Sequence, residues 1–296
     1  MMERVHTPVL LSEVLSYSGL DENKKALMAD MNLGEGGHTL AFLKKYPHLE
    51  VIGVDIDSDI EKKAVAFLGD YTDRFKCVNS WSNEFLENYD GEKFDLILFD
   101  LGLSMFHFKE SDRGFSFKDD SLDMRLDKNA SLSAYTVVNT YSERKLADVL
   151  YEYGGETKSF RIAKAISERR KIKKIETASE LHSIIESCFP VKVQKTSHTD
   201  VATRSFQAIR IEVNDELNRF KEALKYAYEN LKVGGRIEVI SFHSLEDGIA
   251  KWYFRSLKDE GKVEILTKKP LVPLTDETEK NNASRSSKLR VVRKVR

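Results

Sequence analysis

The sequence lacks several features that define whole classes of protein. No apolar run approaches the roughly 20 residues that a membrane-spanning helix needs. The N-terminal segment MMERVHTPVLLSEVL has neither a basic region nor a cleavage site of small residues, so we expect no secretory signal. Only Cys77 and Cys188 are present, far apart and outside any C-x-x-C pair. This scarcity argues against a disulfide framework or a thiolate metal site, and it favours a reducing, cytoplasmic location.

Excess charge of either sign is also missing. The 296 residues carry a net charge of −1, so a surface that binds nucleic acid has to be a local patch. Cations gather in Lys158–Lys174, which has eight Lys or Arg and one Glu, and in Ser284–Arg296, which has six and no acid. Such stretches are usually solvated faces, but they also suit a polyanionic substrate. No aromatic RNA-recognition motif is visible, so recognition by shape and backbone is favoured.

What is present is an alternation of short apolar runs with helical patterns over the first third of the chain. The runs are ALMAD, EVIGVDI, FKCVN and FDLILFD. They predict an α/β fold with a doubly wound, Rossmann-like parallel sheet. Patterns become mostly helical after Asp100; strand character then returns in RIEVISF, and KVEILTKK and KLRVVRKV predict a closing antiparallel pair. We therefore predict a core of residues 1–104 and 204–296 with an inserted helical domain at 105–203.

Two neighbouring strand ends carry the pattern of a nucleotide-cofactor site. The first apolar run ends in Asp30 and is followed by a glycine-rich turn, and the second ends in Asp55, 21 residues after Gly34. Glycines let the backbone approach a ligand, a helix N-terminus supplies N–H donors, and an acid on the next strand binds ribose hydroxyls. The residues that we predict to bind the cofactor on this ground are Asp30, Gly34, Gly36, Gly37 and Asp55.

The identity of the cofactor follows from charge. A dinucleotide-binding turn reads G-x-G-x-x-G, whereas Thr39 stands here at the third glycine, and the carboxylates of Asp30 and Glu35 would repel a pyrophosphate. S-adenosylmethionine has no phosphate and carries a sulfonium and an ammonium, both cationic. We therefore favour this methyl donor. A nicotinamide cofactor and a glycine turn without any ligand are the alternatives.

Two later strand ends supply candidates for the chemistry. Asp100 ends the fourth strand, at the edge where ligands of doubly wound sheets bind, and a carboxylate there can polarise the N–H of an aromatic amine. The alternative is an aspartate that caps a turn. His243 lies at the next strand-to-helix junction and is either catalytic or packed, and the spacing of Ser244 and Asp247 predicts a capping box for the helix.

A long helix is predicted where the insertion rejoins the core. Apolar residues recur at three- and four-residue steps from Phe206 to Leu224, which indicates one continuous buried stripe. Gln207, Arg210 and Asn214 form a polar stripe beside it. This stripe is either a solvated shoulder or a set of active-site contacts, and we take Asn214 as a third catalytic candidate.

Several blocks, spread in order over nearly the whole chain, resemble the bacterial small-subunit ribosomal RNA cytosine-N4 methyltransferases, the RsmH (MraW) family. The resemblance implies a class I S-adenosylmethionine-dependent methyltransferase core with an inserted helical domain for substrate recognition. It also implies methylation of the N4 amine of a decoding-site cytosine in 16S ribosomal RNA, within the small ribosomal subunit. The oligomeric state, monomer or homodimer, is left open. The blocks are HTPVLLSEVL, NLGEGGHT, RGFSF, LDMRLD, ATRSFQAIRIEVNDEL, GGRIEVISFHSLED and SRSSKLR.

The resemblance also implies site residues. In one place the sequence departs from the family: the usual V-S-S-P-Q after the fourth strand is replaced by Leu103–His107, so the family's glutamine contact falls on His107. The D/N/S-P-P-Y/F signature of many amino-methyltransferases is absent, which leaves its role to Asp100 and to aromatics such as Phe106. The cofactor contacts that the family implies are Gly36, Gly37, His38, Asp55, Ser82, Asp100 and His107.

Overall fold

The apolar runs form the strands that their pattern predicts. The structure, a computed structural model, describes residues 8–296; His6 and Thr7, the first two residues of the HTPVLLSEVL block, lie outside them. Seven strands form one sheet in the order β3-β2-β1-β4-β5-β7-β6. They are β1 (Ala26–Asp30), β2 (Leu49–Asp55), β3 (Phe75–Asn79), β4 (Phe94–Asp100), β5 (Leu231–Ser241), β6 (Val263–Ile265) and β7 (Lys288–Lys294).

Fourteen α-helices connect and extend the strands in the part of the chain that the structure describes. Two short 3₁₀ helices, Gly69–Tyr71 and Asn282–Ser286, complete the regular structure. The α-helices are α1 (Leu11–Tyr17), α2 (Gly37–Lys45), α3 (Ser58–Phe67), α4 (Ser82–Glu87), α5 (Met105–Lys109), α6 (Ala134–Thr140), α7 (Glu143–Gly154), α8 (Ser159–Ile172), α9 (Ala178–Ser187), α10 (Val191–Thr196), α11 (Thr203–Asn214), α12 (Glu216–Glu229), α13 (Ser244–Asp259) and α14 (Thr275–Lys280).

The sheet is doubly wound, as predicted. Strands β1 to β5 are parallel, and the chain order reverses between the neighbours β1 and β4. In such sheets the ligand crevice opens at the carboxyl ends of the strands beside this reversal. One face of the sheet is covered by a cluster that includes Phe99, Phe220 and Phe254, and the other by one that includes Phe42 and Leu98. The fold therefore places Asp30 and Asp100 at the two strand ends that flank the crevice.

The antiparallel closure is confirmed. Strand β7 lies between β5 and β6 and runs antiparallel to both. Lys294 ends the strand and is 8% exposed. Its ammonium donates hydrogen bonds to the carbonyls of Tyr228 at 2.8 Å and Leu231 at 2.9 Å, so the strand is anchored to the end of α12 and the first residue of β5.

One buried carboxyl interrupts the apolar interior of β5. Glu238 is fully buried and stands opposite Leu98 and Val291 in the neighbouring strands. Within residues 8–296 neither oxygen of its carboxyl has a hydrogen-bond partner. Burial therefore raises the pKa of Glu238 well above the ordinary value, and the charge of Arg236 offsets this only in part.

The chain divides into two compact units. The first contains residues up to 104 and 217–296, and the second contains residues 105–216. The second junction therefore lies after residue 216 rather than at the predicted 203/204, because α11 packs on α7. A Cβ on Gly154 would lie 2.5 Å from the carbonyl oxygen of Arg204, so this glycine allows the two helices to approach closely.

The predicted long helix is also divided. Helices α11 and α12 are separated by Asp215, whose φ of 49° lies in the left-handed region and ends α11. The apolar stripe from Phe206 to Leu224 therefore belongs to two helices. The prediction was wrong on this point because one left-handed residue breaks a helix without disturbing the spacing of its apolar positions.

Candidate active site

The carboxyl end of β1 carries a buried aspartate that is fixed by the next helix. Asp30 is 1% exposed, and its Oδ2 accepts a hydrogen bond of 2.8 Å from the Thr39 hydroxyl. Thr39 lies in the first turn of α2 and is fully buried. Thr39 stands where a dinucleotide-binding turn has its third glycine. The hydrogen bond from its hydroxyl to Asp30 is a structural reason for threonine instead of glycine at this position.

A histidine lies between this helix and the end of β4. The Nδ1 of His38 is 3.4 Å from Asp100 Oδ2, and its Nε2 is 3.0 Å from the carbonyl oxygen of Val9. Burial disfavours the charged ring, but the hydrogen bond and charge of Asp100 outweigh it and raise the pKa of His38. His38 therefore holds Oδ2 of Asp100 at the carboxyl end of β4. The cofactor contacts predicted for both residues stay predictions.

The glycine turn is tied to the end of β2. The amide of Gly34 donates to Asp55 Oδ2 at 3.0 Å, and the amide of Asp57 donates to Asp55 Oδ1 at 2.9 Å. Gly36 has a φ of 84°, and a Cβ there would lie 2.9 Å from the Leu68 side chain. Glycine is required at position 36 both for its backbone angle and for space. The two predicted binding segments are thus one connected structure.

Three buried acceptor oxygens at this edge of the sheet have no protein donor. Within residues 8–296 they are Asp30 Oδ1, Asn32 Oδ1 and Asp100 Oδ1. Buried polar atoms in proteins normally have a partner, and each exception calls for an explanation. A ligand that brings positive charge and N–H donors would satisfy all three. Asn32 was not among the predicted site residues, although it lies between Asp30 and Gly34 and begins the NLGEGGHT block.

The charge of Asp30 predicts how the site responds to pH. Burial raises the pKa of Asp30 from 3.8 to about 6, although the charge of His38 and the hydrogen bond from Thr39 counteract it. A ligand cation binds the ionised form, so its affinity is present above this pKa and is lost as the pH falls through it. Below the pKa, we expect the affinity for S-adenosylhomocysteine, which carries an ammonium, to fall about tenfold per pH unit.

Titration calorimetry from about pH 5 to about pH 8 would measure this dependence. The matched variant is Asp30→Asn, which keeps an acceptor for Thr39 and removes the charge. We expect it to bind more weakly at neutral pH and to show a flat profile below it. An Asp30→Asn protein with the wild-type profile would assign the dependence to another group.

Ser82 begins α4, and its hydroxyl donates a 2.6 Å hydrogen bond to the carbonyl of Met31. The carbonyl belongs to the residue directly after β1, so Ser82 is positioned beside the same crevice. Ser82 as a cofactor contact stays a prediction.

Gly102 keeps the end of β4 close to β5, because a Cβ there would lie 2.7 Å from the Phe242 ring.

His243 is the N-cap of α13, which corrects the predicted capping box by one residue. Its Nδ1 accepts from the amide of Glu246 at 3.4 Å, and Glu246 Oε2 accepts from the amides of Phe242 at 2.8 Å and His243 at 3.2 Å. The box is therefore His243 with Glu246, not Ser244 with Asp247. His243 Nε2 lies 3.1 Å from Glu246 Oε1 without a well-directed hydrogen bond. The ring has a structural task, and its catalytic role stays a prediction.

The third catalytic candidate belongs to the second unit. Asn214 is 4% exposed and ends α11. Its Nδ2 donates to the carbonyls of Met124 at 2.8 Å and Arg210 at 2.9 Å, and its Oδ1 accepts from the amide of Leu126 at 2.8 Å. Asn214 thus fixes the LDMRLD loop, and its catalytic role stays a prediction.

The other members of the polar stripe also make internal contacts. The guanidinium of Arg210 binds both carboxylate oxygens of Glu216 at 2.8 Å. Gln207 donates to the carbonyl of Tyr153 at 3.2 Å. The stripe is therefore a line of structural hydrogen bonds within the second unit.

His107 lies in α5, also in the second unit. It is 3% exposed, and its ring lies edge-on to Phe106 at 5.8 Å and to Phe115 at 4.9 Å between centroids. An aromatic cluster thus surrounds the imidazole that replaces the family's glutamine. His107 as a cofactor contact stays a prediction.

Comparison with known proteins decides the family. The model of the MraW methylase family matches residues 3–295. The chain belongs to this family. Chains named ribosomal RNA small subunit methyltransferase H are similar over nearly their full length: that of Borrelia hermsii is 45% identical over 295 residues, covering 98% of each chain, and that of Treponema denticola is 44% identical over 314 residues, covering 99% of this chain and 98% of its own.

Family membership agrees with the fold. The strand order and the antiparallel β7 are those of the predicted Rossmann-like methyltransferase core, interrupted by helices between β4 and β5. No helix within residues 8–296 is both long and apolar enough to cross a bilayer.

Proposed function

We propose that this protein transfers a methyl group from S-adenosylmethionine to the exocyclic N4 amine of a decoding-site cytosine in small-subunit ribosomal RNA. Membership of the methylase family and the names of its relatives support the reaction and the RNA. The observation that carries the proposal is the pair of buried, unpartnered oxygens of Asp30 and Asp100 on either side of the crevice. Two carboxylates suit a cationic ligand and disfavour a pyrophosphate.

The residues at the carboxyl edge fit this cofactor. Asp55 anchors the glycine turn through Oδ2, which accepts from the Gly34 amide, and its own loop through Oδ1, which accepts from the Asp57 amide. A carboxylate can accept several hydrogen bonds, which suits ribose hydroxyls. The left-handed Gly36 lets the backbone approach the ligand. Asp30 supplies the negative charge for the ammonium. When bound, S-adenosylmethionine supplies a methyl group whose carbon is electrophilic because it is bonded to a sulfonium.

In this proposal Asp100 acts on the amine. His38 holds its Oδ2, which leaves Oδ1 free to accept a hydrogen bond from the N4 amino group. That bond polarises the N–H and turns the nitrogen lone pair out of the ring system, toward the methyl carbon. In the transfer the C–N bond would form as the C–S bond of the sulfonium breaks, and the sulfur would keep the electron pair as the thioether of S-adenosylhomocysteine. The nitrogen would gain positive charge, and the Asp100 carboxylate would take the departing proton.

The helical insertion supplies cations for the RNA. In the basic stretch Lys158–Lys174, Arg170 serves the fold, because its guanidinium donates to the carbonyls of Val138 and Tyr141. Arg161 and Lys171 are exposed, and neither forms an ion pair with a carboxylate within residues 8–296. These side chains support a role of this unit in binding the phosphate backbone.

The test is methyl transfer from tritium-labelled S-adenosylmethionine to small subunits from cells that lack this gene. We expect label in the ribosomal RNA, and mass mapping should place it on N4 of one decoding-site cytosine. Subunits from cells with the gene, already modified, are the control and should accept little label. Saturable binding of NADPH without any response to S-adenosylhomocysteine would contradict the proposal and favour a nicotinamide enzyme.

A further inference from the structure

An exposed tryptophan stands over an apolar groove between α12 and α13. Trp252 is 60% exposed, whereas large aromatic side chains are ordinarily well covered. The groove has a volume of about 570 Å³, within the range of sites that take small organic groups. We call it the Trp252 groove. Its lining includes Lys221, Leu224, Leu245, Ile249, Trp252, Tyr253 and Ser256.

A second cavity lies on the other side of the same helix and has the opposite chemistry. It measures about 270 Å³ and faces β6 and β7. Five cations line it: Lys251, Arg255, Lys258, Lys268 and Arg290. We call it the cationic cavity. Two acids can offset this positive charge. Asp259 lines the cavity, and Asp247 binds Arg290 through both carboxylate oxygens.

The helix itself separates the two cavities. Lys251, Arg255 and Lys258 follow one another at four- and three-residue steps and form one stripe of α13. The ammonium of Lys251 lies 4.8 Å and the guanidinium of Arg255 5.8 Å from the centroid of the Trp252 ring. Within residues 8–296, none of Lys251, Arg255, Lys258 and Lys268 forms an ion pair. Lys251 and Arg255 thus bring positive charge over the ring of a tryptophan that is still 60% exposed.

We propose that the Trp252 groove and the cationic cavity together bind an unpaired stretch of RNA, with a base stacked on Trp252 and the adjoining phosphates held by Lys251, Arg255 and Lys258. Stacking platforms flanked by cations are how proteins hold single-stranded nucleic acid. This inference rests on the proposed function, in which the substrate is ribosomal RNA. A protein partner fits less well, because lysines are depleted from protein interfaces and four of them border these two cavities.

The position of the groove fits the same substrate. Helix α13 begins directly after His243, at the carboxyl edge of the sheet where the candidate active site lies. Trp252 is eight residues further along the helix, roughly 12 Å from that edge at a rise of about 1.5 Å per residue. RNA that flanks the target nucleotide can therefore leave the crevice along this face of the first unit.

Tryptophan fluorescence tests the proposal directly, because the chain has only two tryptophans, Trp81 and Trp252. In the full-length Trp81→Phe protein the emission reports Trp252 alone. We expect a short single-stranded oligoribonucleotide to quench it, and a duplex of the same length to quench it much less. Unchanged emission at RNA concentrations that saturate binding by anisotropy would overturn the proposal.

Affinity gives a second, independent readout. We expect Trp252→Ala to weaken binding of the oligoribonucleotide by roughly 5- to 150-fold, the range of one base stack, and Trp252→Phe to restore most of it. Lys251→Gln/Arg255→Gln should lower the slope of log affinity against log salt by roughly 0.7 for each phosphate that is no longer neutralised. The control, Lys24→Gln/Lys62→Gln, removes the same charge from exposed positions elsewhere in the first unit and should leave the slope unchanged.

Methyl transfer separates this inference from the proposed function. With small subunits, Trp252→Ala should raise KM and leave kcat unchanged. If the wild-type protein methylates subunits and Trp252→Ala changes neither RNA affinity nor KM, the groove proposal alone fails. If Trp252 is quenched by RNA but no methyl group is transferred, the proposed function alone fails. Weaker binding of Trp252→Ala to subunits with unchanged binding to protein-free RNA would assign the groove to a ribosomal protein and overturn the RNA proposal.

Discussion

Replacing Asp100 with asparagine is expected to lower kcat for methyl transfer by about 10²- to 10⁴-fold, the usual contribution of a positioned proton acceptor. The exchange is nearly isosteric, and the asparagine oxygen can still accept from His38. It removes the negative charge that polarises the amine and takes its proton. The measurement is the single-turnover rate of label transfer to unmodified small subunits.

Cofactor binding tells whether the loss lies in the chemistry. A hydrogen bond to a neutral acceptor instead of a charged one changes affinity by about tenfold at most, so thermal stabilisation of Asp100→Asn by S-adenosylhomocysteine should persist. Asp70→Asn makes the same exchange at an exposed position and serves as the control. A wild-type rate in Asp100→Asn would show that the amine reacts through alignment alone, without an acceptor.

Replacing Glu238 with glutamine is expected to stabilise the protein at neutral pH. Burial raises the pKa of Glu238 well above its ordinary 4.5, so the folded state keeps a proton that the unfolded chain releases. The stability that this group contributes is therefore present below pH 4.5 and is lost as the pH rises toward the folded pKa, by about 1.4 kcal/mol per pH unit. Glutamine cannot ionise, so the variant escapes that loss.

Urea unfolding across the pH range measures the difference between the two proteins. The free energies of unfolding should agree near pH 4.5 and diverge steadily above it. Glu50→Gln makes the same exchange at an exposed position of β2 and should leave the pH dependence unaltered. Parallel curves for wild type and Glu238→Gln would mean that a partner stabilises the ionised carboxylate in solution.

The sheet was predictable because each strand is a short apolar run that ends in a polar residue or a turn. The junction at Asp215 was not predictable in this way. The spacing from Phe206 to Leu224 is the same for one helix or two, and only the backbone angle of the residue between them distinguishes the cases. The compact units likewise divide after residue 216, whereas the predicted inserted domain ends at 203.

The candidate site was predictable to the level of strand ends and no further. Asp30, Asp55 and Asp100 follow from the pattern, since parallel strands place their carboxyl ends at one edge. The hydroxyl of Thr39 on Asp30 and the hold of His38 on Asp100 depend on the orientation of α2, which no spacing rule gives. The N-cap of α13 was misplaced because His243 with Glu246 and Ser244 with Asp247 have the same spacing, and histidine is a rare cap.

The position of β7 between β5 and β6 determines when the sheet can be completed during synthesis of the chain. Until residue 294 has left the ribosome, β5 has one open edge, and open edges of apolar strands invite pairing with other chains. The pairing of β4 with β5 must in addition close over the 112 residues from 105 to 216. Synthesis of β7 is therefore the step that covers this edge of β5.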